Sequence, residues 1–139
     1  MRHLAVAHLE REQAGDYRDD EELGEIVFRE LPFYFAHFGE AERRYLDSIH
    51  DEVPNGDALR FFNAEIFLTF DLRPSLKQID APTLVITGAD DFITGPVCAA
   101  ELKDSIAGAE TVIVPGSGHF TFVEARDRFR EEVRRFLTR

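Results

Sequence analysis

Two loops of this 139-residue chain hold side chains suited to moving a proton. Gly88-Ala89-Asp90-Asp91 offers carboxylates, and Gly116-Ser117-Gly118-His119 offers an imidazole, with Asp91 and His119 28 positions apart. A carboxylate next to a histidine can accept the Nδ1 proton, fix the tautomer, and stabilise the imidazolium that forms when the ring takes a proton. The glycines before His119 let the backbone turn tightly and keep the ring accessible. Each loop alone is commonplace, because a Gly-rich loop ending in His can be a plain turn and an Asp past a strand can simply cap a helix. As an ordered pair, each just past a strand-forming run, they are far more specific.

Those runs are short and β-branched. Ala81-Pro82 leads into Thr83-Leu84-Val85-Ile86-Thr87, which Gly88 ends; Glu110 to Val114 is followed by Pro115-Gly116. Such segments predict buried parallel strands. Between them Gly95-Pro96 starts a helix running to about Ile106, with Pro at a favoured early position and Gly108 closing it. After them Phe129, Val133, Phe136 and Leu137 form an apolar stripe at helical spacing. Strand, helix and strand of this length make a right-handed βαβ unit. Its strands would end on one edge of the sheet, where open α/β folds gather their sites, and strand neighbours stand about 4.8 Å apart. Asp91 and His119 therefore project from adjacent loops.

The first 70 or so residues differ in character, with short helices, acidic connections and many aromatics. Asp19 to Glu30 opens with acids suited to a helix N-terminus. Leu31, Phe33, Tyr34, Phe35 and Phe38 follow, with Pro32 kinking or breaking the run. Ala41 to Ile49 reads as a short helix, Pro54-Asn55-Gly56 as a turn, and Asp57 as the cap of a helix holding Leu59, Phe61, Phe62, Ile66, Phe67 and Leu68. That helix is apolar on more than one face and needs a cover. Packing among these helices, or a lid whose aromatics face a pocket or another domain, would each supply one.

Composition bounds the partners. With 16 Lys and Arg against 27 Asp and Glu, the formal charge is −11, which disfavours nucleic acid and anionic membrane surfaces, since both call for clustered bases. No signal-type segment or membrane-length apolar run is visible, and the expected location is cytoplasmic. Cys98 is a lone cysteine in a helical run and reads as a small buried thiol. His3 and His8 read as surface residues without a third ligand, and no metal is expected.

The segment PTLVITGADDFITGP, Pro82 to Pro96, resembles the part of the α/β-hydrolase family that bears the triad acid. IVPGSGHFTFVE, Ile113 to Glu124, is similar to that family's catalytic-histidine loop. The resemblance puts the acid at Asp91 rather than Asp90 and the base at His119, and covers residues 71–139 well. It implies an α/β fold of two parallel strands with flanking helices: a βαβα unit at 73–139 from the C-terminal half of the hydrolase core, preceded by a helical cap at 1–72. The family's order is nucleophile, acid, histidine. Its elbow, G-x-S-x-G, does not occur here. Ser117 shares a loop with His119 and lacks an elbow's setting, while Ser48, Ser75 and Ser105 fall in helical segments.

Two lone parallel strands leave edges unpaired, so the expectation is a fragment whose missing N-terminal half, or self-association, completes the sheet. The implied substrate is a small ester, amide or short peptide, with no cofactor. The cap and Phe62-Asn63-Ala64-Glu65 look most like proline iminopeptidases, whose cap carboxylates hold a substrate amine, and Glu65 falls where one would lie. Phe92 directly after Asp91 departs from that pattern and favours an apolar pocket, with Phe120 a second candidate wall. Haloalkane dehalogenase or epoxide hydrolase chemistry with an Asp nucleophile, and a non-catalytic, partner-binding remnant of the fold, remain alternatives.

Overall fold

The computed structural model describes residues 2–139, with side chains described from Ala7 onward. The chain forms two units, one comprising residues up to Phe33 together with Arg43–Asp71, the other Tyr34–Glu42 together with Leu72–Arg139. The short aromatic segment after Pro32 thus belongs with the strands and not with the helices around it in sequence.

The first unit holds α1 (Arg2–Ala14), α2 (Asp20–Glu30), most of α3 (Glu40–Ile49) and α4 (Gly56–Phe61), followed by a π-helical turn, Phe62–Ile66. α2 starts where the sequence indicates: the Asp19 side chain accepts the Glu22 N–H at 2.9 Å, and Asp20, Glu21 and Glu22 occupy the first turn. These acids complement the unpaired N–H groups and positive end of the helix. Leu23, Ile26 and Glu30 form its buried face. Pro32 sits in a 3-10 turn, Leu31–Tyr34, that tightens the end of α2.

Tyr17, Leu23 and Ile26 make the core of this unit, flanked by Val27 and Leu59. The Tyr17 hydroxyl donates to the Gly56 carbonyl at 2.8 Å, and the Arg60 guanidinium lies 4.1 Å from the Tyr17 ring centroid. α4 is capped by Asn55, whose side chain accepts the Ala58 N–H at 2.8 Å. Asp57, expected as that cap, instead stands in the first turn and pairs with Arg60 at 3.0 Å. The helix begins two residues earlier, and its first residue, Gly56, packs against the Tyr17 ring, where a Cβ would collide. Phe61, Phe67, Leu68 and Phe70 are exposed. His8 is half-buried rather than a surface residue; His3 lies outside the described side chains.

In the second unit β1 (Leu84–Gly88) and β2 (Glu110–Val114) pair in parallel, with Leu84 opposite Glu110 and Gly88 opposite Val114. α5 (Pro96–Ser105) connects them, packs on both, and buries Ala99 almost completely. α6 (Thr121–Glu124) and α7 (Arg126–Leu137) follow β2. A 3-10 turn, Arg73–Gln78, precedes β1.

The strands are well buried only at their C-terminal ends, Thr87, Gly88 and Val114, while Ile113 is 47% exposed. The full burial expected of such β-branched runs is therefore not reached within these residues. Cys98, expected to be buried, is exposed; it neighbours Ala99, and one helical step of about 100° takes it off the face that meets the sheet. Leu137 is likewise exposed, at the end of an otherwise half-buried stripe. Among the described residues no helix is long and apolar enough to cross a membrane.

Candidate active site

The two loops meet because the two strands end level. Ala89 N–H donates to the Val114 carbonyl and Asp90 N–H to the Ser117 carbonyl, at 2.9 and 3.0 Å. Gly88 makes this approach possible: a Cβ there would overlap the carbonyl oxygens of Ser117 and Gly118.

Asp91 folds back over the start of the next turn. Its Oδ1 accepts the N–H groups of Ile93 (2.8 Å) and Thr94 (3.1 Å), and its Oδ2 accepts the Thr94 hydroxyl at 3.2 Å. The same Oδ2 lies 3.1 Å from His119 Nδ1. Burial works against the carboxylate charge. The Ile93 and Thr94 N–H groups and the histidine outweigh it, holding the Asp91 carboxyl below its ordinary value. An ionised carboxylate only accepts hydrogen bonds, so the shared proton belongs to Nδ1, and a neutral His119 ring then keeps its lone pair on Nε2. The Asp91 side chain is 4% exposed and that of His119 31%. One partner is shielded and the other open.

Aromatic rings surround the imidazole. Tyr34 and Phe120 meet His119 edge-on at centroid distances of 5.7 and 5.4 Å, and Phe92 lies 5.4 Å from Tyr34. Phe120 also packs on Phe35 at 4.8 Å. Of the residues singled out in the sequence, Asp91, His119, Phe92 and Phe120 thus lie in one unit around one ring. Glu65 is in the other unit, exposed on the π-helical turn. Ser117 is fully buried, with its hydroxyl 3.5 Å from Glu124 Oε2, and is no accessible nucleophile. Among the described residues no cluster of three or more His, Cys, Asp or Glu could hold a metal ion.

Three participants were not singled out in the sequence. Thr94 closes the Asp91 turn, and Asp-x-x-Thr past a strand is a recognisable signal for that. Glu124 accepts the Gly118 N–H at 2.7 Å; it closes the histidine-loop motif, but nothing local says which way it faces. Tyr34 accepts the His119 N–H on its carbonyl at 2.7 Å across 85 positions of chain, a pairing without a sequence signal.

Residues 69–139 match the TAP-like protein family. Over 84 residues the chain is 36% identical to a pimeloyl-[acyl-carrier protein] methyl ester esterase of Nitrosospira multiformis, covering 60% of this chain and 32% of that protein. It is 34% identical over 68 residues to a proline iminopeptidase of Lactobacillus crispatus, covering 49% and 23%. Among solved structures it is similar to the enol-lactonase of Burkholderia xenovorans LB400, with a TM-score of 0.71 at 31% identity over 94% of this chain and 50% of that one. The chain therefore spans half or less of the length of each of these relatives. With the parallel strands, the loop-borne Asp91–His119 pair and this family match together, the chain belongs to the TAP-like family of α/β-hydrolases.

Proposed function

We propose that this chain supplies the acid and the base of an α/β-fold hydrolase that cleaves ester or amide bonds through a nucleophile–His–Asp triad. The 3.1 Å approach of Asp91 Oδ2 to His119 Nδ1 carries the reading. Asp91 holds the ring with Nδ1 protonated. Nε2 then takes the proton of the attacking hydroxyl and returns it to the leaving group, while Asp91 steadies the imidazolium between the two transfers. The nucleophile belongs to an N-terminal half outside these 139 residues, in the same polypeptide or in a partner, whose strands would extend the sheet.

Phe92, Phe120 and Tyr34 favour a substrate that is apolar next to its scissile bond. The esterase and lactonase relatives support ester chemistry. The iminopeptidase likeness supports a short peptide amide, for which Glu65 would hold a substrate amine. Of the two, the apolar ring cluster favours the ester. Cytosolic placement fits a small substrate of this kind, and the reaction needs no nucleic acid, membrane or cofactor.

The test is 4-nitrophenyl ester hydrolysis by the purified 139-residue chain. No turnover above the buffer rate is expected. Turnover that disappears in His119→Ala would show that the nucleophile lies within these residues and overturn its placement elsewhere.

A further inference from the structure

We propose that Glu124 is the positioning residue of His119, fastening the histidine loop to the Tyr34–His37 segment. The proposal rests on the reading of His119 as the base. Glu124 stands five residues past His119, at the end of α6. Both of its oxygens are engaged. Oε1 accepts the N–H groups of Ala36 (2.7 Å) and His37 (3.2 Å), while Oε2 accepts the Gly118 N–H (2.7 Å) and, more weakly, the Ser117 hydroxyl at 3.5 Å. One carboxylate thus serves donors from two segments more than 80 positions apart in sequence.

The two donors on the histidine loop have few alternatives. Gly118 and Ser117 are buried, and a buried N–H without a partner is costly. Next to this contact the His119 N–H donates to the Tyr34 carbonyl at 2.7 Å. The two backbones touch so closely that a Cβ on Gly118 would overlap the Tyr34 carbonyl oxygen. Glu124 and the His119–Tyr34 bond therefore hold the residue before the imidazole and the residue that bears it against one segment. The Nδ1–Oδ2 separation of 3.1 Å is already near the long end for an N–H···O bond. A loop free to drift by a few tenths of an ångström would lose it. The same fastening sets the Tyr34 ring against the histidine, so Glu124 fixes both the base and one wall of its surroundings.

The experiment uses the 15N-labelled 139-residue chain, reading amide hydrogen exchange and the downfield His119 Nδ1 proton in wild type, Glu124→Ala, Glu124→Gln and Asp91→Asn. In Glu124→Ala the amides of Gly118, Ala36 and His37 should exchange about tenfold faster or more, the size expected for losing a charge-assisted bond. The Nδ1 signal should broaden or vanish, while the amides of β1 and β2 keep their protection. Glutamine has one accepting oxygen, so Glu124→Gln should protect either Gly118 or the Ala36–His37 pair, not both.

Unchanged exchange and an unchanged Nδ1 proton in Glu124→Ala would overturn the proposal. So would equal loss of protection in the strands of both variants, which would make Glu124 a support of the whole fold. Asp91→Asn separates the underlying reading: it should remove the Nδ1 signal and leave Gly118 and Ala36 protected. If the signal survives there, the acid–base reading fails, and amide exchange alone decides the role of Glu124.

Discussion

Asp91 Oδ2 meets His119 Nδ1 at 3.1 Å, while Oδ1 of the same carboxylate takes the N–H groups of Ile93 and Thr94. The Asp91 carboxylate is thereby held by its own turn as well as by the histidine, and the His119 ring meets a carboxylate that is not free to rotate. Every other contact around the imidazole elaborates this one.

Asp91→Asn should weaken the fold in a pH-dependent way. The folded-state pKa of Asp91 is depressed. Its contribution is therefore present above the unfolded value, about 3.9, and is lost as pH falls through the lower folded value. At pH 7 the substitution should cost roughly 1.5–3 kcal/mol, the range for a hydrogen bond to a charged group. Urea unfolding of the two proteins should converge once the pH has fallen through the depressed folded value as well as the unfolded one. A constant gap between neutral and strongly acid pH would contradict this.

Glu30 behaves in the opposite sense. It is 1% exposed in the first unit, and neither carboxylate oxygen has a hydrogen-bond partner. Burial, followed by the nearby Glu12 charge, raises its pKa to about 8. A carboxyl whose folded pKa is raised contributes fully below its unfolded value, about 4.3, and that contribution is lost as pH rises through the folded pKa. Thermal unfolding should therefore show the midpoint falling between about pH 4 and pH 8, the span from the unfolded to the folded value. In Glu30→Gln that decline should flatten. An identical decline in the variant would assign it to another group.

Gly88→Ala should be worse tolerated than Gly108→Ala. At Gly88 the new methyl would overlap the Ser117 and Gly118 carbonyl oxygens, and backbone cannot give way as a side chain can. A loss of about 2 kcal/mol or more is expected, with displacement of the histidine loop. Gly108 has open space around its Cβ position and φ of +74°, so alanine there meets only backbone strain of about 1 kcal/mol. Denaturant midpoints would rank the pair, and the reverse order would contradict the close approach of β1 to that loop.

Much of the second unit was legible in the sequence. β-branched runs closed by Gly88 and Pro115-Gly116 marked both strands, and the parallel pairing that brings Asp91 to His119 followed from the helix between them. What escaped was decided by packing across long separations. Glu124 gains its role from Ala36 and His37, and Tyr34 from His119, none of which is near in sequence. The α4 cap went to Asn55 instead of Asp57, and Gly56 beside it fits against Tyr17, a contact across 39 positions of chain. Cys98 has a helical neighbourhood that suggests burial, yet only its neighbour Ala99 turns onto the sheet. Periodicity places a residue on an element, whereas the partner chosen by that element's face depends on the whole fold.

If His119, held by Asp91, is the base of a hydrolase, it should work once a nucleophile is restored to it. The decisive measurement is a fusion in which this chain replaces the segment of the Burkholderia xenovorans enol-lactonase that it aligns with, half of that protein, the rest of which would supply the nucleophile. Hydrolysis of a 4-nitrophenyl ester is then followed with His119→Ala and Asp91→Asn in parallel. Turnover by the fusion should fall by roughly 10⁶-fold in His119→Ala and roughly 10⁴-fold in Asp91→Asn, the orders seen when a triad loses its base or its orienting acid. Fusion turnover left intact by His119→Ala would mean that this histidine is not the base.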